Sequence, residues 1–177
     1  MNRRYFLSSS IGFGAFAALS RLPVASASLS PGGDKHRGIP GGTKGVKKVI
    51  KTDEEWKQIL TRDQYEVMRQ KGTEPPFTSP LNHIHQRGTF VCVGCELPLF
   101  SSEAKFDSGT GWPSFSKPIA KENVREELDR TLSATRTEVL CAGCDAHIGH
   151  VFNDGPKPTG LRYCMNGVAL KFVRPKG

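Results

Sequence analysis

The sequence predicts a mainly β, α+β domain in which antiparallel strands follow two short helices. A four-cysteine clip ties its early strands to its late ones. Three features carry this expectation. Two boxes, Thr52-Asp53-Glu54-Glu55 and Thr61-Arg62-Asp63-Gln64, precede apolar residues at helical spacing. From Pro75 onward, short β-prone runs are broken by Gly and Pro. Four of the five cysteines form two Cys-x-x-Cys pairs. A chain of 177 residues has room for one domain with its own core, plus appendages.

The first appendage is the N-terminus. Asn2-Arg3-Arg4-Tyr5-Phe6-Leu7 reads as a twin-arginine signal, Ile11 to Leu19 as its apolar run, and Ala25-Ser26-Ala27 as a cleavage pattern. The run falls short of the roughly 20 apolar residues that span a bilayer. Residues 1–27 are therefore expected to be a removed signal peptide, the alternatives being an uncleaved anchor or a chance basic N-terminus. Export by this route delivers folded cargo to the periplasm or an equivalent extracytoplasmic compartment, so a metal would be loaded first. Residues 28–50, rich in Gly, Ser, Pro and Lys, read as a flexible basic linker, with the ordered domain filling 51–177.

The formal charge of +8 does not mark a nucleic-acid binder. Three arginines sit in residues 1–27 without an acid, and six basic residues face Asp34 alone in residues 28–51. From Thr52 onward, sixteen basic and sixteen acidic residues balance. A neutral domain lacks the footprint that phosphate binding needs. It also gives no reason to expect more than a monomer.

Behind the two boxes, Trp56, Ile59 and Leu60, then Tyr65 and Met68, fall at helical spacing, and Gly72 reads as the stop. The β-prone runs that follow are Thr89–Val93, Glu138–Cys141, His147–Phe152, Arg162–Asn166 and Val168–Val173. In the last of these, Val168, Leu170 and Phe172 share one face, as in a half-buried strand.

Cys92-Val93-Gly94-Cys95 and Cys141-Ala142-Gly143-Cys144 read as twin zinc knuckles, each with Gly before its second cysteine to permit a tight turn. Their β context disfavours a thioredoxin-type redox pair, where the motif opens a helix. Disulfides or another metal are the alternatives. The donor set is closed, so the expected zinc is structural rather than catalytic.

Cys164 is the cysteine left over. On a strand, Arg162, Cys164 and Asn166 point to one face, and a nearby guanidinium favours the nucleophilic thiolate. His147 and His150 lie one short hairpin away. Three-residue spacing sends them to opposite faces unless Gly149 hosts a bulge. The alternative is an inert buried cysteine. Asp107 to Phe115 reads as a loop in which glycines and a proline bracket Trp112 and Phe115. A rigid tryptophan there can pack against a small apolar group such as an S-methyl, although a tryptophan taken alone is more often core than pocket.

Cys92–Phe100, Ser108–Phe115, His147–Asp154 and Arg162–Phe172, with the lead-in from Gly72 to Phe77 and Asn82, resemble the methionine-R-sulfoxide reductases, the B-type family. The resemblance runs through nearly all of residues 50–175 in one order. It implies two antiparallel sheets, with one structural Zn2+ on Cys92, Cys95, Cys141 and Cys144 opposite the active site. It implies Cys164 as nucleophile and Trp112 as the wall for the substrate methyl. His147, His150 and Asn166 would orient and protonate around the sulfoxide. Arg162, Asp154 and Phe115 would complete the substrate-binding residues. The implied substrate is methionine-R-sulfoxide, free or in oxidised proteins, and the implied reductant a thioredoxin-like protein or a small thiol. Many such enzymes recycle through a second cysteine in the segment that holds Thr110 here, so this chain is expected to work with one cysteine. Two readings compete: a non-enzymatic zinc-knuckle binding module, and a cysteine hydrolase using His150 as base.

Overall fold

The computed structural model describes residues 45–131 and 134–175. The expected signal peptide and the expected linker up to residue 44 lie outside the described residues. The expected linker does not extend to residue 50. Val49 N–H donates to Gly143 O at 2.8 Å and Lys48 Nζ pairs with Asp145 at 2.7 Å, so Lys48 and Val49 dock against the second knuckle. Among the described residues, no helix is long and apolar enough to cross a membrane.

Both boxes start helices. In α1 (Asp53–Ile59) and α2 (Arg62–Gln70), the Thr hydroxyl accepts from the N3 amide and the N3 side chain reaches back to the Thr amide. Trp56, Leu60, Val67 and Met68 are buried. The stop differs from expectation. Lys71 itself takes the left-handed conformation (φ 59°), and Gly72 N–H closes the turn on Glu66 O. That conformation points the Lys71 amine at Glu138, 2.7 Å away.

Among the described residues nine strands follow: β1 (Thr89–Cys92), β2 (Pro98–Ser101), β3 (Lys105–Phe106), β4 (Ser114–Phe115), β5 (Val124–Asp129), β6 (Arg136–Cys141), β7 (His147–Phe152), β8 (Arg162–Met165) and β9 (Leu170–Val173). They form two antiparallel sheets, ordered β2-β1-β9 and β3-β4-β8-β7-β6-β5. Val168 and Ala169, expected to open the last strand, form a 3-10 turn with Gly167 instead.

Aromatic rings fill the space between the sheets. Phe100 stacks on Phe115 with centroids 4.5 Å apart, Phe90 meets Phe115 edge-on at 4.9 Å, and Tyr163 packs against Phe100. Such pairs add about 0.5–1.5 kcal/mol each beyond area burial. Phe115 is fully buried in this stack, which corrects its assignment as a substrate-binding residue. It sits on β4, paired with Tyr163, and faces the core rather than the cavity near Trp112.

Candidate active site and metal centre

Cys92 ends β1 in the small sheet and Cys141 ends β6 in the large one, so the clip joins the two sheets. The four sulfurs lie within 4.8 Å of one another, with Cys92–Cys144 at 3.6 Å and Cys95–Cys141 at 3.5 Å. Zinc–sulfur bonds of about 2.3 Å imply tetrahedral sulfur–sulfur edges of about 3.8 Å. A disulfide needs about 2.05 Å. The arrangement is a four-thiolate metal site and fits zinc. Hydrogen bonds among the sulfurs, from Cys141 first, push the Cys92 thiol up and the Cys95 thiol down.

The glycines of the knuckles serve a different purpose from the one expected. The left-handed residues are Glu96 and Asp145, just after each second cysteine. Gly143 supplies room, because a Cβ there would lie 2.9 Å from Cys95 Sγ. The first helices brace the clip. Arg69 Nη1 donates to Cys144 O at 2.9 Å while its guanidinium covers the Trp56 ring.

On the large sheet, Glu138, His150, Cys164 and Ser114 are successive cross-strand partners on β6, β7, β8 and β4. Directly opposed residues share a face, so one row carries these four side chains. The expected bulge is present. His147 opposes Leu140 and Gly149 opposes Val139, which leaves Ile148 as the extra residue of β7. Gly149 sits at φ 154°, and a Cβ there would come 2.2 Å from Cys164 O. The bulge brings both imidazoles to one side, with ring centroids 5.3 Å apart.

Cys164, His150, Asn166 and Trp112 line one cavity of about 120 Å³ together with Thr73, Arg136, Gly149, Phe152 and Met165. That volume equals about four waters of liquid and suits a methylsulfinyl group. His147 lies behind His150 and is almost wholly buried. Its Nδ1 bonds Glu138 Oε1 at 2.7 Å, and its Nε2 is buried without a partner. Burial outweighs the Glu138 contact and lowers the His147 pKa. Burial also raises Glu138, but hydrogen bonds from Lys71 and His147 prevail and hold its carboxyl below the usual range. The resting pair is therefore a carboxylate and a neutral imidazole protonated on Nδ1.

Arg162 is not in the cavity wall. Its Nε and Nη2 each donate to Asp154 at 2.8 Å, and the guanidinium stacks 4.4 Å over Phe152, itself a wall residue. The Asp154 contact, with Cys164 also contributing, raises the Arg162 pKa and keeps it cationic. Asp154 is depressed by Arg162 in turn. These two residues support the site from its edge.

Three acids escaped sequence reasoning. Glu74 ties two walls together. Its O accepts from Trp112 Nε1 at 3.0 Å and its N–H donates to Asn166 Oδ1 at 3.0 Å, while its carboxylate accepts from the Gly167 and Val168 amides. Asp129 and Glu138 each hold one histidine. Only the Glu74 contacts could have been sought, since Glu74 falls within the Gly72–Phe77 lead-in. Thr110 Oγ1 lies 3.8 Å from Cys164 Sγ, linked through Ser108 to Ser114. The other four cysteines are all in the clip.

Fold and site together define a two-sheet domain with a structural four-thiolate clip and a separate thiol flanked by imidazole, amide and indole. The chain belongs to the SelR domain family, whose model matches residues 60–174. It is 56% identical over 130 residues to the peptide methionine sulfoxide reductase MsrB of Hahella chejuensis, covering 73% of this chain and 94% of that protein. It is 56% identical over 129 residues to the protein of the same name from Bradyrhizobium diazoefficiens, covering 73% and 92%. The identity is 52% over 126 residues, 71% and 89%, for that of Methanosarcina barkeri. Neither the binding-module nor the hydrolase reading is favoured by these relatives.

Proposed function

We infer that the protein is a thiol-dependent peptide-methionine (R)-S-oxide reductase with a structural zinc. The observation that supports this best is Cys164, outside the metal clip, opposed by His150 and facing Trp112 in a cavity of methylsulfinyl size. The Cys164 thiolate attacks the sulfoxide sulfur while His150 delivers a proton to the sulfoxide oxygen. Oxygen ends on Cys164 as sulfenic acid and methionine departs. The substrate sulfur gains the two electrons that the cysteine sulfur loses. Trp112 forms the slot for the methyl group, and Asn166 orients the oxygen. Bound zinc fixes the two sheets to each other and takes no part in the reaction.

Thr110 stands within reach of Cys164 where a resolving thiol would be needed. The Cys164 sulfenic acid is therefore reduced directly by an external thiol, a thioredoxin-like protein or a small thiol, to give water and a disulfide. Oxidised proteins carrying methionine-R-sulfoxide are the substrates, and the enzyme acts as a monomer. The Arg3-Arg4 signal and Ala25-Ser26-Ala27 support export of the folded, metal-loaded protein by the twin-arginine route.

The test is an assay of both sulfoxide epimers with dithiothreitol as reductant, using the wild type and Cys164→Ser. Turnover of the R epimer alone, abolished by the substitution, is expected. Turnover of neither epimer would overturn the reading.

A further inference from the structure

Resting on the reading that His150 is the proton donor, we propose that Asp129 is the positioning residue for that donor. It fixes the tautomer and orientation of the His150 ring. Asp129 closes β5, and its Oδ2 lies 2.9 Å from His150 Nε2. Arg136 Nη2 donates to the same oxygen at 2.6 Å. Its Oδ1 accepts from Thr131 twice, from the amide at 2.9 Å and the hydroxyl at 2.6 Å. Thr131 first, then His150 and Arg136, hold the Asp129 carboxyl well below the usual carboxylate range.

An ionised carboxylate can only accept, so His150 Nε2 carries a hydrogen and is committed to Asp129. Nδ1 is then the one ring atom free to exchange a proton with a molecule in the cavity. His147 is arranged oppositely, with burial keeping it neutral and its committed nitrogen being Nδ1. Two neighbouring histidines are thus separated into a buried acceptor and a donor at the cavity wall.

The charged groups around His150 are few. Asp129 and Arg136 face it from the β5–β6 hairpin, and Glu138 opposes it on β6. Cys164 opposes it on β8, with Arg162 two residues away. His147 lies beside it on β7, and Lys71 reaches the sheet only through Glu138. Arg136 donates to the same oxygen as His150 and so helps to hold the acceptor in place. Removing the acid must therefore disturb the ring more than removing the arginine.

The experiment is the pH dependence of the single-turnover reduction of methionine-R-sulfoxide, without reductant, in the zinc-loaded protein. Wild type, Asp129→Asn, Asp129→Glu, Arg136→Gln and His150→Asn are compared, with zinc content and thermal melting confirming folding. The 15N NMR signature of His150 is recorded for each folded variant that keeps the ring. In Asp129→Asn, whose amide can donate as well as accept, the Nε2–H signature of a fixed tautomer is lost, with roughly a tenfold loss of rate. Asp129→Glu restores part of both, and Arg136→Gln keeps the signature. An unchanged His150 signature in Asp129→Asn, whatever the loss of rate, would overturn the proposal while leaving His150 as donor. Should Asp129→Asn fail to fold, the signature in Asp129→Glu decides. An alkaline limb that persists unchanged in His150→Asn would instead sink the underlying assignment of the donor.

Discussion

The substitution Thr110→Cys should convert this one-thiol site into a two-thiol site. The Thr110 hydroxyl lies 3.8 Å from Cys164 Sγ, so a sulfur at that position needs to move less than about 2 Å to reach bonding distance. Two glycines with positive φ, Gly109 and Gly111, flank the position and let the loop adjust. The bond would close a ring spanning 54 positions. Chain-entropy arguments assign such a ring about 4 kcal/mol of stabilisation. Losing the Thr110 hydroxyl's bond to Ser108 offsets about 1 kcal/mol of it. The net of about 3 kcal/mol corresponds to about 10 °C in melting temperature for a domain of this size. The assay is one turnover of methionine-R-sulfoxide without reductant, then peptide mass spectrometry and melting with and without dithiothreitol. A disulfide between the introduced thiol and Cys164, with a dithiothreitol-sensitive melt, is expected. Persistence of sulfenic acid on Cys164, with identical melts, would refute the geometry of the loop.

Other outcomes follow from the same structure. Removing the metal with a chelator, or replacing Cys95 by Ser, should unfold the domain, because structural zinc contributes about 10–16 kcal/mol against a typical stability of about 5–15; circular dichroism alongside zinc analysis checks this. His147 titrates below its ordinary 6.5 in the folded state, so the unfolded chain binds the extra proton first. Stability to urea should fall as pH drops below about 6.5, by at most about 1.4 kcal/mol per unit, and His147→Gln should flatten that slope. Phe115→Ala should cost about 3–5 kcal/mol in chemical denaturation while leaving the KM of folded enzyme near the wild-type value. Trp112→Ala should instead lower kcat/KM, since its ring lines the cavity.

The parts of the fold legible in the sequence were those with local signals. Each capping box needs four residues, and both were where the chain placed them. The knuckles announced themselves by spacing, and the short His-Ile-Gly-His step could bring its imidazoles together only through a bulge. The strands that went unread lacked such signals. β5 reads Val-Arg-Glu-Glu-Leu-Asp, an edge strand whose Leu128 is two-thirds exposed, so no apolar alternation marks it. β3 and β4 hold two residues each, β4 being paired with β8 and β3 with β4, so only the assembled sheet defines them.

The site divided in the same way. Cys164 stood out by subtraction, and the histidines by proximity along the chain. Trp112 and Phe115 lie three residues apart in one loop-like segment, yet one faces the cavity and the other the core. Only the pairing of Phe115 with Tyr163 separates them. Glu74 acts across 92 positions of sequence, and Asp129 reaches His150 across 21. No local pattern connects residues that far apart before the sheet is assembled.

The central claim is that Cys164 alone takes the oxygen. One equivalent of methionine-R-sulfoxide, given to the zinc-loaded protein with no reductant and followed by a sulfenic-acid trap, tests it directly. The account predicts one methionine per protein, one trapped oxygen on Cys164 and four cysteines still holding zinc. A disulfide joining Cys164 to a clip cysteine, or methionine release with Cys164 untouched, would contradict it.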